Sequence, residues 1–144
     1  MIAAQTVRLE TRRAFDASPE RIWDAWLDPT LVGGFFFGAP HGEIVRAERD
    51  ARIGGRYSFV DRRDGENVDH VGEYLALERP RHLAFTFAVP AMWPGVTRVT
   101  IDLAPRPRGG CELVLAQEGV HPDYAESSAA AWEFVLDRLG EAVG

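Results

Sequence analysis

The sequence predicts an α+β fold in which one curved antiparallel sheet, about six or seven strands wide, wraps a long C-terminal helix. Three observations carry that expectation: alternating polarity in the first segment, a succession of strand-length segments cut by turn signals, and one long apolar stripe at helical spacing at the end. At 144 residues with 46% hydrophobic content, a single domain, 1–144, can bury roughly two-thirds of the surface its unfolded chain exposes. A second domain is not expected.

The first segment, Thr6 to Phe15, sets Val7, Leu9 and Thr11 against Arg8, Glu10 and Arg12, the period-2 pattern of a half-buried strand. A short helix follows. Ser18 can cap its first turn, Pro19 tolerates the position where an N–H would be unpaired, and Glu20 lies at the positive end of the helix. Ile22, Trp23, Trp26 and Leu27 share one face, and Pro29 ends the element by pushing Asp28 out of helical geometry. Two tryptophans on so short a helix need a large apolar partner. Leu31 to Phe37 is too short and glycine-rich for a long helix and reads as a second helical turn that inserts aromatics.

Turn signals at Gly54-Gly55, Arg63-Asp64-Gly65, Arg79-Pro80-Arg81, Trp93-Pro94-Gly95 and Pro107 to Gly110 then divide the chain into strands near 44–49, 56–61, 67–77, 82–88, 97–104 and 112–117. Their close spacing favours antiparallel hairpins. One of Gly54 and Gly55 is expected at positive φ. The final helix spans about Asp123 to Val143, with Trp132, Val135, Leu136, Leu139 and Val143 on one continuous stripe. A sheet wrapped round such a helix meets it only along a line, and the space beside that line is either filled by large side chains or left as a cavity.

Composition excludes several classes of function. All sixteen basic residues are arginine, which removes lysine Schiff-base chemistry and lysine phosphate cradles. Acidic and arginine residues balance at fifteen each up to Gly110, and from Cys111 onward seven acidic residues face only Arg138, so the net charge of −6 lies at the C-terminal end. Nucleic-acid binding needs a basic stripe and is not expected. Glu133, Asp137 and Glu141 read as a solvated helix face. No apolar run reaches the ~18 residues of a membrane span, and Met1 to Gln5 lacks the regions of a signal peptide, so the expected location is the cytoplasm. Cys111 reads as a small core residue.

An ordered set of residues carries a family resemblance: Ser18-Pro19-Glu20-Arg21-Ile22-Trp23-Asp24-Ala25-Trp26, Gly54-Gly55-Arg56-Tyr57, Gly72-Glu73-Tyr74-Leu75, Pro80-Arg81-His82-Leu83-Ala84-Phe85-Thr86-Phe87, Gln117-Glu118-Gly119, Trp132 and Leu136-Asp137-Arg138-Leu139. Together they resemble the activator of heat-shock-protein-90 ATPase homologue family of the START-like, helix-grip superfamily, also called SRPBCC. The resemblance implies an apolar cavity between sheet and C-terminal helix. Ala131 stands where members often have glycine, and Phe35-Phe36-Phe37 replaces a usual tryptophan, departures that bear on the ligand rather than the fold. Members of the superfamily bind lipids, isoprenoids, plant hormones or polyketides, a few catalyse cyclisation or dehydration, and the name-giving members stimulate a chaperone ATPase.

The expected function is therefore binding of a small hydrophobic or aromatic molecule by a monomer or homodimer. A chaperone-interaction module acting through its outer surface is the alternative, and a cyclase or dehydratase the third reading. The candidate apolar walls are Trp26, Phe36, Phe37, Tyr57, Phe59, Phe85, Phe87, Met92, Trp93, Trp132 and Leu136, about half of the aromatics serving simply as core. Arg56, Glu73 and Glu118 are the candidates to orient a ligand, since charged groups on an inner sheet face need partners. His41, His70, His82 and His121 show no paired metal-ligand spacing, and neither a metal nor a cofactor is expected. Asp69 and Glu73 share one strand face and His70 the other, which weakens an acid/base pair, and His70 reads as a strand-surface residue. No catalytic residue is assigned.

Overall fold

The computed structural model describes residues 5–39 and 41–143. Strand β1 (Val7–Phe15) leads into helices α1 (Pro19–Leu27) and α2 (Pro29–Val32), which run on into a π turn, Gly33–Phe37. Strands β2 (Glu43–Arg49), β3 (Arg56–Arg63), β4 (Glu66–Glu78), β5 (His82–Phe87), β6 (Thr97–Pro105) and β7 (Cys111–Val120) follow, and helix α3 (Ala125–Val143) closes the fold. The sheet is antiparallel with order β1-β7-β6-β5-β4-β3-β2. Because β1 pairs with β7, the segment carrying α1 and α2 crosses from one edge of the sheet to the other.

Local chemistry explains that crossing. Ser18 accepts the Arg21 N–H at 3.2 Å. Asp28 then acts twice: its backbone N–H reaches the Asp24 and Ala25 carbonyls to end α1, and its carboxylate accepts the N–H groups of Thr30 and Leu31 to begin α2. In the π turn the Gly38 N–H reaches the Gly33 carbonyl at 2.8 Å. Within this wide winding Phe35 turns away while Phe36 and Phe37 stack on each other at 4.2 Å. Phe35 packs edge-on to Trp26 at 5.0 Å, Phe37 stacks on Phe59 at 4.3 Å, and Phe36 lies beside Phe87 at 5.0 Å and Trp132 at 5.1 Å.

Strand β3 extends past the expected Asp61 to Arg63. Asp64 and Gly65 form a two-residue turn with φ of 50° and 82°, and the tight turn lets Arg63 pair with Glu66. Tyr57, Phe59, Asp61 and Arg63 therefore share the face turned toward α3, here the inner face. Val99, Ile101 and Leu103 of β6, and Cys111, Leu113, Leu115 and Gln117 of β7, are all buried on the same face.

Helix α3 starts slightly later than the sequence suggests, because Pro122–Tyr124 form a 3-10 turn capped by His121. Its buried residues are the expected stripe, Trp132, Val135, Leu136, Leu139 and Val143. Its acidic face, Glu133, Asp137 and Glu141, is exposed as expected, and two of its carboxylates also make ion pairs. Arg13 of β1 pairs with Asp137 at 2.6 Å and Glu133 at 2.8 Å, and the Thr11 hydroxyl donates to Glu133. The Thr11 hydroxyl and the Arg13 guanidinium hold the Glu133 carboxyl below its ordinary range. Among the described residues no helix is long and apolar enough to cross a membrane.

Candidate functional site

Along the N-terminal half of α3 the helix and the sheet part, leaving a cavity of about 400 Å³. Its apolar walls are Phe36 from the π turn, Phe87 from β5, and Trp132 and Val135 from α3. The β5–β6 loop supplies the mouth. There Trp93 meets Phe87 edge-on at 5.7 Å and faces Tyr124 at 6.4 Å, while Met92 is 50% exposed.

Two polar groups interrupt the aromatic wall. The Trp132 indole N–H donates to Gln117 Oε1 at 2.6 Å, the Gln117 amide donates to Thr97 Oγ1 at 3.0 Å, and Thr97 donates to the Phe87 carbonyl at 3.0 Å. This relay holds the indole plane against the β6–β7 floor and leaves the second N–H of Gln117 without a partner among the described residues. The other group stands where β3 ends. Asp61, fully buried, accepts from Arg63 Nε and from the Ala39 N–H, while its Oδ1 has no partner among the described residues. Gly42 is required beside it, because a Cβ there would collide with the carboxylate.

His70 completes this second group. Its Nδ1 lies 3.0 Å from the Phe59 carbonyl, which can only accept, so Nδ1 carries the proton and Nε2 is left to accept from Arg63 Nη2 at 3.3 Å. Burial, reinforced by the Arg63 charge, lowers the His70 pKa below its ordinary value, and the imidazole is neutral. No group of three or more histidine, cysteine or acidic side chains is placed to hold a metal among the described residues.

The residues expected at a ligand site separate into three sets. Phe36, Phe87, Met92, Trp93 and Trp132 border the cavity. Trp26, Phe37, Tyr57, Phe59, Phe85 and Leu136 are buried in the core around it instead. Tyr57 is drawn away because its hydroxyl reaches over Gly72 to the Thr86 carbonyl at 2.6 Å, a path that any side chain at position 72 would block. The polar candidates Arg56, Glu73 and Glu118 do not face the cavity. Arg56 and Glu73 pair across β3 and β4 on the outer face, along a polar groove of about 580 Å³, and Glu118 is exposed 3.7 Å from Arg8. Strand alternation puts the neighbours of Arg56 and Glu118, namely Tyr57 and Gln117, on the inner face.

The polar residues of the cavity were within reach of the same alternation. Continuing Tyr57 and Phe59 by twos leads to Asp61, the last residue of the expected strand, and one step further to Arg63. His70 is corrected from strand surface to buried cavity wall, since its register partner is Phe59. Tyr124 and Ser127 at the rim carry no signal in the sequence.

Comparison with known proteins agrees with this architecture. Among curated proteins, none matches the chain at a significant level. A Staphylococcus aureus protein of unknown function, SA2116, superposes with a TM-score of 0.85 at 20% identity, covering 98% of this chain and 95% of that one. Chromobacterium violaceum protein CV1439 gives 0.81 at 28% identity, with 96% of each chain covered. A Rhodobacter sphaeroides protein gives 0.76 at 26% identity over 94% of this chain and 88% of that one. The model of the "Activator of Hsp90 ATPase homolog 1-like protein" family matches residues 16–144, and the chain belongs to that family.

Proposed function

We propose that the protein, a cytoplasmic monomer or homodimer, binds a small hydrophobic or aromatic molecule in the cavity between the sheet and α3. The observation that carries this reading is the cavity of about 400 Å³, whose walls are aromatic and whose polar groups are few and held in place. That is the size and lining of small-molecule sites in general. The family name raises a co-chaperone role acting through the outer surface, where two carboxylates of the acidic face of α3 are already paired with Arg13. A cyclase or dehydratase would need an acid or base in the cavity. His70 is placed there, and its Nε2 lone pair already accepts from Arg63.

Two measurements test the proposal. Small molecules extracted from the purified protein are identified by mass spectrometry, and the protein is titrated with 2-naphthol while its melting temperature and tryptophan emission are followed. Binding raises the melting temperature with probe concentration and shifts the emission of Trp93 and Trp132. No extracted hydrophobe and no response to the probe would remove the proposal.

A further inference from the structure

Resting on that reading, we infer that the ligand is an anion: a planar aromatic or apolar acid whose carboxylate is taken by Arg63 while its ring lies against Phe36, Phe87 and Trp132. The sign of the charge on the cavity wall points there. The chain has a net charge of −6, yet no aspartate or glutamate lines the cavity among the described residues, and the one side chain there that is charged at neutral pH is Arg63. Neutral His70, as an acceptor from Arg63, steadies the guanidinium without adding a charge of its own.

The guanidinium is held from behind and open in front. A guanidinium has five N–H donors in a rigid fork. Nε is used by Asp61, which is fully buried and does not line the cavity, and Nη2 is shared between His70 and the Phe37 carbonyl at 3.4 Å. Nη1 has only the Met92 sulfur, 3.7 Å away, and a thioether is a weak acceptor. The positive end therefore meets the cavity with its counter-charge behind it. A carboxylate replacing the sulfur would gain a charge-assisted hydrogen bond, and Met92, on the exposed loop at the mouth, is free to yield. Of the remaining polar groups on the wall, the spare N–H of Gln117 and the Ser128 hydroxyl can donate to an acceptor-rich ligand, whereas the Ser127 hydroxyl already donates to the Tyr124 carbonyl at 3.1 Å.

The test compares isosteric probes of different charge on the intact protein. Dissociation constants are measured by calorimetry for 2-naphthoate, 2-naphthamide and 2-naphthylmethylammonium at one ionic strength. The carboxylate should bind on the order of tenfold or more tightly than the amide, with the ammonium weakest. Arg63→Gln should abolish the preference, weakening the acid more than the amide. Because that change strands the Asp61 carboxylate, the Asp61→Asn/Arg63→Gln pair is measured as well and should behave alike. Equal binding of acid and amide by the native protein overturns the anion assignment and leaves the cavity reading standing. Binding of none of the three overturns both.

Discussion

The layer between the sheet and α3 has two ends made of similar side chains, one filled and one hollow. Around the C-terminal half of the helix, Leu136 and Leu139 are fully buried in the same cluster as Ile22, Trp26 and Phe35. Around the N-terminal half, Trp132 and Phe87 are nearly as well covered and Phe36 is partly buried, yet the three border about 400 Å³ of open space. Hydrophobicity does not separate the two ends. Polar tethers do: Trp132 is fixed to Gln117, and Arg63 and His70 occupy the wall opposite with Asp61 behind them, so the rings cannot collapse without leaving buried polar groups unpaired. The filled end relies mainly on apolar interlocking, its polar ties being Trp23 Nε1 to the His82 carbonyl and Arg138 to the Gly38 carbonyl. Its rings are free to settle until no space remains.

Adjacent phenylalanines give the largest test of that contrast. Phe35→Ala should destabilise by roughly 3–5 kcal/mol in urea titrations, the usual loss for a fully packed ring. Phe36→Ala should lose clearly less, because its ring already borders open space, and should weaken binding of a naphthalene probe, which Phe35→Ala leaves intact in the folded fraction. Equal losses at both positions would erase the distinction between the ends.

Next in size is the tether itself. Trp132→Phe keeps most of the apolar area but deprives Gln117 Oε1 of its donor, so it should reduce stability by about 1–3 kcal/mol. A change too small to measure would mean that the relay does not hold the cavity open.

A pH dependence follows from His70. Its folded pKa lies below the unfolded value of 6.5, so the stability tied to its neutral form is complete above that value. That stability is lost as pH falls toward the folded pKa, because the unfolded chain binds the proton more readily. Thermal melts between about pH 7 and about pH 5 should show the decline, and His70→Asn, which can still donate to the Phe59 carbonyl, should flatten it. An unchanged slope in the variant would contradict burial of a neutral imidazole. Smallest is the surface clamp of α3 on β1: Arg13→Ala should alter stability by no more than about 1 kcal/mol, since Glu133 and Asp137 are well exposed, and a larger loss would show that the pair positions the helix.

How much of this could be read in advance depends on the range of the interaction that decides it. Caps and stripes are local, and so the Ser18 start, the positive φ of 83° at Gly54 and the five-residue face of α3 were all legible. The aromatic side of the cavity was legible in part, because Phe36, Phe87, Met92, Trp93 and Trp132 are identifiable as residues in need of an apolar partner. Whether a given ring meets core or cavity depends on the π turn that parts Phe35 from the stacked pair Phe36 and Phe37, and a triple repeat of one residue does not encode direction. The polar wall was missed for a simpler reason. Strand alternation identifies Asp61, Arg63, His70 and Gln117 as inward only once the inner face is known, and in this fold a tertiary pairing, His70 opposite Phe59, settles it.

The most direct test of the hollow end is a map of where an aromatic probe binds. Backbone amide shifts of isotope-labelled protein are followed by NMR as 2-naphthol is added. The changes should cluster on Phe36, Val89, Trp93, Ala131 and Trp132, which border the cavity, and spare Leu139 and the outer-face residues Arg56 and Glu73. Shifts confined to the outer face, or none at saturating probe, would contradict a ligand site between the sheet and α3.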